Sequence, residues 1–121
     1  MEVDYGKYHY VGWPKDVLTS LSISIGLYLR YYRYVKIGIT GNPERRFREH
    51  LNPNCNPNCN IKWQRMVVKY KTNSINHANY IEDYFINKKR SKLRNKWIGY
   101  SYMSEQGPYF VYILLSGKRK K

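Results

Sequence analysis

With 121 residues, of which 42% are hydrophobic and 17% aromatic, the chain is long enough for one domain with a modest core. Its 22 lysines and arginines outnumber its 8 acidic residues, and the net charge of +14 predicts a polyanionic partner, with nucleic acid favoured over a membrane surface. The sequence has neither an apolar run long enough to span a membrane nor a secretion signal, so we expect an intracellular protein, cytoplasmic or nuclear. A basic but otherwise ordinary protein is the alternative.

The first predicted regular structure is a β-hairpin, which follows an aromatic N-terminal segment over residues 1–21. In residues 22–30 apolar side chains alternate with polar or small ones, and this period of two predicts a half-buried strand. Residues 34–40 alternate in the same way and predict the return strand. A slip of one residue would expose every aliphatic side chain, so the pattern also specifies the register.

That register predicts a polar surface on one face of the hairpin. With the turn centred on residue 32, Gly26 lies opposite Gly38, and Tyr28 lies opposite Lys36. Directly opposed residues project to the same face. We therefore expect a phenol, an ammonium group and two bare stretches of backbone to form one surface.

A helix is predicted directly after the hairpin. Residues 41–44 read Gly-Asn-Pro-Glu, with asparagine as the cap, proline in the first helical position and glutamate near the positive end of the helix. Phe47 and Leu51, four residues apart, form its apolar stripe. Arg46 and His50 have the same spacing, so their side chains share another face.

The loop over residues 52–60 holds both cysteines, Cys55 and Cys59, in a duplicated Asn-Pro-Asn-Cys sequence. Two cysteines do not make a disulfide framework. A zinc site that also uses His50 and His77 is one interpretation, and a polar loop is the other. The spacing matches no strong zinc pattern and favours the polar loop.

The second half of the chain predicts a strand over residues 61–70, a helix over residues 75–91 and a final strand over residues 109–115. The helix carries Glu82 at the border of its inner apolar stripe. That stripe consists of Ala78, Ile81 and Phe85.

Basic residues cluster at residues 88–96 and in the tail at residues 118–121. We interpret them as contacts to phosphates, which give affinity without sequence preference. The candidate phosphate-binding side chains are Arg30, Arg45, Lys88, Lys89, Arg90, Lys92 and Arg94.

Residues 23–95 resemble the GIY-YIG nuclease superfamily. Residues 26–28 read Gly-Leu-Tyr where that family has Gly-Ile-Tyr, and residues 36–38 read Lys-Ile-Gly where it has Tyr-Ile-Gly. Residues 38–50 are similar to the segment that follows the second motif, including its arginine and histidine. Residues 82–86 resemble the second-helix segment, whose glutamate binds the metal.

The chain departs from the family pattern at three points. Lys36 replaces the second tyrosine, as in the Lys-Ile-Gly version of some restriction-type and phage-type members. The late asparagine of the family has no clean match, and Asn95 is the best candidate. Residues 109–115, Tyr-Phe-Val-Tyr-Ile-Leu-Leu, also resemble the first strand, so Tyr112 is a rival to Tyr28 as the phenol of the site. The symmetric hairpin favours Tyr28.

The fold expected for this chain is a small α/β (α+β) domain with a central, antiparallel, three-stranded sheet flanked by helices. Residues 1–121 would form a single nuclease domain with its core at 22–96. Residues 97–121 would add a C-terminal strand and a basic tail.

The implied activity is metal-dependent hydrolysis of phosphodiester bonds. Glu82 would bind one divalent cation, Mg²⁺ or Mn²⁺, and Arg46 would clamp the phosphate through its fork of donors. Tyr28 would orient or deprotonate the attacking water, with its pKa lowered by Lys36 and the cation. His50 would relay a proton or bind phosphate.

The expected substrate is nucleic acid, with double-stranded DNA favoured. Specificity would come from the 52–60 loop, from a homodimer or from a partner chain. Two other classes of protein stay open. One is a non-catalytic nucleic-acid-binding module on the same scaffold, and the other is a small structural or host-interaction protein.

Overall fold

The computed structural model describes residues 3–4, 13–51, 62–88 and 108–118. The architecture is α+β, as expected from the sequence. In chain order the elements are β1 (Val3–Asp4), α1 (Pro14–Tyr31), β2 (Tyr32–Thr40), α2 (Pro43–Leu51), β3 (Arg65–Thr72), α3 (Ile75–Lys88) and β4 (Tyr109–Lys118).

The described strands form one four-stranded sheet in the order β1-β3-β4-β2, so the expectation of three strands is corrected. The additional strand is β1, which pairs in parallel with the outer edge of β3. An ion pair between Asp4 of β1 and Arg65 of β3 reinforces this pairing. The other two pairings, β3 with β4 and β4 with β2, are antiparallel.

The predicted hairpin is wrong, because its first strand is part of the helix α1. Val17, Leu21 and Ile25 recur every four residues and are buried, which is the spacing of one helical face. The alternating pattern required Ile23 and Leu27 to be buried as well, yet both are exposed, Ile23 by 62%. The aliphatic residues fit both periods locally, and burial of the helical stripe decides between them.

The partner of β2 is therefore β4 and not an N-terminal strand. The predicted strand over residues 34–40 is confirmed within β2, and its apolar face is buried as expected. In the observed register Lys36 lies opposite Leu114, and Gly38 lies opposite Tyr112. Tyr28 and Gly26 lie on α1.

The last strand, β4, lies in the centre of the sheet and is buried on both faces. Val111, Ile113 and Leu115 belong to the larger core, which β4 shares with α1, α3 and β2. Tyr112 and Leu114 point the other way, into a smaller cluster. The other buried members of the smaller cluster are Phe47, Trp63, Met66 and Val68. A strand buried on both sides reads as a continuous apolar run, which explains the predicted strand at residues 109–115.

The two other helices lie close to their predicted ranges. The start of α2 after Asn42 and the start of α3 at Ile75 are as expected, and the stripe of α3 is fully buried. Within the described part of the chain, no helix is long and apolar enough to cross a membrane.

Candidate active site

The candidate site begins at the pairing of β2 with β4, where Gly38 lies beneath Tyr112. A Cβ atom at position 38 would lie 2.4 Å from both Cζ and Oη of Tyr112. Only a glycine leaves room for this ring, which is 2% exposed. The backbone of Gly38 thus fixes where the phenol lies.

The start of α2 brings a guanidinium to this phenol. The backbone N–H of Asn42 donates to Thr40 Oγ1 at 3.1 Å, and Asn42 Oδ1 accepts a hydrogen bond from the N–H of Arg45 at 3.1 Å. Asparagine therefore caps α2 as predicted. In the first turns of this fixed helix, Arg46 donates through Nε to Tyr112 Oη at 3.4 Å and through Nη1 to Glu49 Oε1 at 2.9 Å.

This contact sets the charge state of both partners. Burial lowers the pKa of Arg46, but Tyr112 and Glu49 outweigh it, so the pKa lies above the ordinary value and the guanidinium stays charged. Burial raises the pKa of Tyr112, and Arg46 offsets only part of that rise. The phenol is therefore protonated at neutral pH.

The carboxyl group of the site is Glu82, which α3 presents from the border of its buried stripe. Glu82 is 6% exposed, and its Oε1 atom has no hydrogen-bond partner among the described residues. Burial, followed by the charge of Asp83, raises its pKa from 4.5 to about 7, while Lys36 acts in the opposite direction. Glu82 in turn raises the pKa of Tyr112. Elements far apart in the chain therefore bring a carboxyl, a phenol, a guanidinium and an ammonium group within electrostatic range.

Whether the site can hold a cation depends on the ligands that its side chains offer. Within residues 3–4, 13–51, 62–88 and 108–118, no group of three or more His, Cys, Asp or Glu residues could hold a metal ion. Glu82 nevertheless offers a buried carboxylate oxygen with no hydrogen-bond partner in that part of the chain, which is a hard ligand. Mg²⁺ commonly binds one or two carboxylates and takes its remaining ligands from water and substrate phosphates. The residues present fit a cation of that kind.

The assignment of Tyr28 to the site loses its geometric basis together with the hairpin. Tyr28 packs against the larger core, and the Nζ atom of Lys69 lies 5.9 Å from the centroid of its ring. The rival phenol, Tyr112, is the one in contact with Arg46. The sequence signal for Tyr112 is the apolar run at residues 109–115, which predicts a strand.

The remaining predicted site residues are spread over the surface or lie outside the described residues. Arg30 at the end of α1 and Arg45 in α2 are exposed, and Arg45 also lies 3.9 Å from Glu49. His50 and Lys88 belong to α2 and α3, but their side chains are not described. The predicted residues outside the described part are Cys55, Cys59, Lys89, Arg90, Lys92, Arg94 and Asn95.

The fold and the four polar groups define a small α+β domain with a compact, charged candidate site. The chain belongs to the T5orf172 domain family, whose model matches residues 24–101. That domain occurs in endonuclease-like proteins of phages and bacteria, which indicates a function related to nucleic acid. The matched range begins within α1 and ends before β4, so it leaves Tyr112 outside. No curated protein and no solved structure matched the chain.

Proposed function

We propose that this protein is a metal-dependent endonuclease of the GIY-YIG type that hydrolyses phosphodiester bonds in nucleic acid, with double-stranded DNA as its substrate. The observation that carries the proposal is the 3.4 Å contact between Arg46 Nε and Tyr112 Oη, within electrostatic range of the buried carboxyl group of Glu82. The net charge of +14 and the T5orf172 family support it.

In this proposal β4 serves as the first strand of the GIY-YIG hairpin, although it comes last in the chain. Its antiparallel pairing with β2 sets Tyr112 opposite Gly38, so that a phenol lies across from the Lys-Ile-Gly motif, although the hairpin expected from the sequence set its phenol opposite Lys36. The sequence Tyr-Phe-Val-Tyr-Ile-Leu-Leu at residues 109–115 supports this assignment. The catalytic domain would thus be circularly permuted relative to the family pattern.

The side chains would divide the chemistry among them. Arg46 binds non-bridging phosphate oxygens through its planar fork of donors and balances the charge that develops on them. Tyr112, as a neutral phenol, accepts a hydrogen bond from the attacking water and orients it. Glu82 would bind Mg²⁺ or Mn²⁺, and when bound the cation supplies Lewis-acid stabilisation of the phosphate and the leaving oxygen. Lys36 favours the ionised form of Glu82.

A nicking assay tests the proposal. Supercoiled plasmid is incubated with the protein and Mg²⁺, Mn²⁺ or EDTA, and the relaxed product is measured. Arg46→Ala, Glu82→Gln and Tyr112→Phe should each lower the nicking rate by about 100-fold. Arg48→Ala, an exposed arginine of the same helix, is the matched control and should retain activity.

The phenol is tested by a second pair of variants. Tyr112→Phe should lower the nicking rate by about 100-fold, whereas Tyr28→Phe should leave it unchanged. The reverse result would return the assignment to Tyr28. Nicking by Glu82→Gln at the wild-type rate, or the absence of nicking with either metal, would overturn the nuclease proposal.

A non-catalytic nucleic-acid-binding module is the second candidate. The observation in its favour is that the described residues hold no group of three or more His, Cys, Asp or Glu side chains that could bind a metal ion. Binding to duplex DNA that weakens with salt, without cleavage under any metal, would select this candidate.

A further inference from the structure

A second concave surface, which none of the four polar groups of the candidate active site lines, lies between the first turns of α1 and α3. It is a cleft of about 590 Å³. Its lining residues are Trp13, Lys15, Asp16, Asn76, His77 and Tyr80. The two helices pack against each other and share the larger core, so the walls of the cleft are held by the fold.

The walls of the cleft are aromatic and open to solvent. Trp13 is 67% exposed and Tyr80 is 49% exposed. The ring of Trp13 lies against that of His77, with centroids 5.2 Å apart and planes inclined by 52°. Covering exposed aromatic surface of this kind with another flat ring is favourable. Several exposed aromatic side chains close together therefore indicate a binding surface.

The polar groups at the cleft suit a nucleotide. Lys15 supplies a cation for a phosphate, while Asp16 and Asn76 offer acceptors and donors to the edge of a base. The charge of the whole chain favours a polyanion over an apolar peptide. Unpaired bases are commonly bound by stacking on aromatic side chains next to basic residues.

We infer that this cleft binds an unpaired nucleobase, and that the protein therefore prefers nucleic acid with single-stranded nucleotides next to a duplex. The inference rests on the nucleic-acid binding of the proposed function and adds a substrate class to it. A paired base cannot enter, because its faces are covered by its neighbours in the duplex. The cleft thus distinguishes a single-stranded end, gap or branch from a fully paired duplex.

The inference is tested by binding without cleavage. A fluorescein-labelled oligothymidylate, a blunt duplex and a duplex with a single-stranded overhang are titrated with the protein in EDTA, and anisotropy gives each Kd. Trp13→Ala should weaken binding of the oligothymidylate and the overhang by about tenfold and leave the blunt duplex unchanged. Trp13→Phe, which keeps an aromatic face, should restore most of the affinity. Tyr80→Ala should reproduce the loss.

Tyr31→Ala is the matched control, because Tyr31 is an exposed aromatic residue at the other end of α1, outside the cleft. A 2-aminopurine base within the oligothymidylate reports stacking directly, and we expect its fluorescence to be quenched by the wild type but not by Trp13→Ala. Equal losses for all three ligands, or no loss beyond that of Tyr31→Ala, would overturn the inference. EDTA prevents cleavage during the binding measurement, so the two proposals fail separately. A failed nicking assay refutes only the proposed nuclease activity. Unchanged binding by Trp13→Ala refutes only the proposed base-binding cleft.

Discussion

Glu82→Gln should stabilise the fold at alkaline pH while it lowers the nicking rate by about 100-fold. The carboxyl group is 6% exposed, and its pKa is raised from 4.5 to about 7, chiefly by burial. The folded protein therefore binds this proton more tightly than the unfolded chain does. The resulting stabilisation is fully present below about pH 4.5, falls as pH rises, and is lost once pH exceeds about 7.

The difference between 4.5 and about 7 corresponds to about 3 kcal/mol of unfolding free energy. Glutamine has the shape of the neutral acid but cannot ionise. The variant should thus match the wild type near pH 4.5 and exceed it by up to about 3 kcal/mol at pH 8 or above. The fold destabilises the ionised form of Glu82, and the proposed mechanism requires that same form. The site is therefore less stable than the variant in return for its function.

Urea unfolding in EDTA, followed by circular dichroism across this pH range, gives the free energy of unfolding of both proteins. Glu44→Gln, at an exposed glutamate in the first turn of α2, serves as the control and should show no comparable gain at high pH. Parallel pH curves for the wild type and Glu82→Gln would refute the reasoning, since the carboxyl group would then titrate alike in both states.

Four further variants address the site and the helix α1. Gly38→Ala should destabilise the fold by about 1–3 kcal/mol in urea unfolding and abolish nicking, because its Cβ atom would overlap Tyr112. Gly26→Ala has open space within α1 and should stabilise the fold by about 0.8 kcal/mol, whereas a hairpin strand would predict no helical gain. Arg46→Lys should lower the nicking rate by roughly tenfold, since the ammonium keeps the charge without the fork; unchanged nicking would reduce its role to charge alone. Glu49→Gln releases Arg46 from its ion pair and should tighten duplex binding by less than about 1 kcal/mol, measured by anisotropy.

The elements that could be predicted from the sequence carry local signals. Asn42 and Pro43 mark the start of α2 through capping chemistry that involves only neighbouring residues. Ala78, Ile81 and Phe85 follow a helical period, and the spacing of three between Ala78 and Ile81 does not fit one face of a strand. Arg46 and Glu82 lie on these two helices, which explains why both could be assigned to the site before the fold was known.

The error at α1 has a different physical origin. Between Ser22 and Leu29 aliphatic residues alternate with small or polar ones, but Leu21 and Ile25 also fit a helical stripe with Val17. A short segment that fits both periods becomes the helix or the strand according to which face the rest of the molecule covers. Here the larger core covers the apolar stripe of α1. The strand β2, which the predicted hairpin paired with residues 22–30, pairs with β4 instead.

The position of β4 depends on pairing between distant residues, which no local pattern specifies. Its apolar run indicates that it is buried on both faces. In the sheet β4 has β3 at one edge and β2 at the other. Once β2 and β3 are the neighbours, the register sets Tyr112 opposite Gly38 and within reach of Arg46. The strand that completes the core thus also completes the candidate site. The phenol, the guanidinium and the carboxyl group therefore meet only in the folded domain. The pairing of β4 with β2, which brings the phenol to the guanidinium, is among the most distant in the sequence. It must therefore form against the greatest loss of chain entropy.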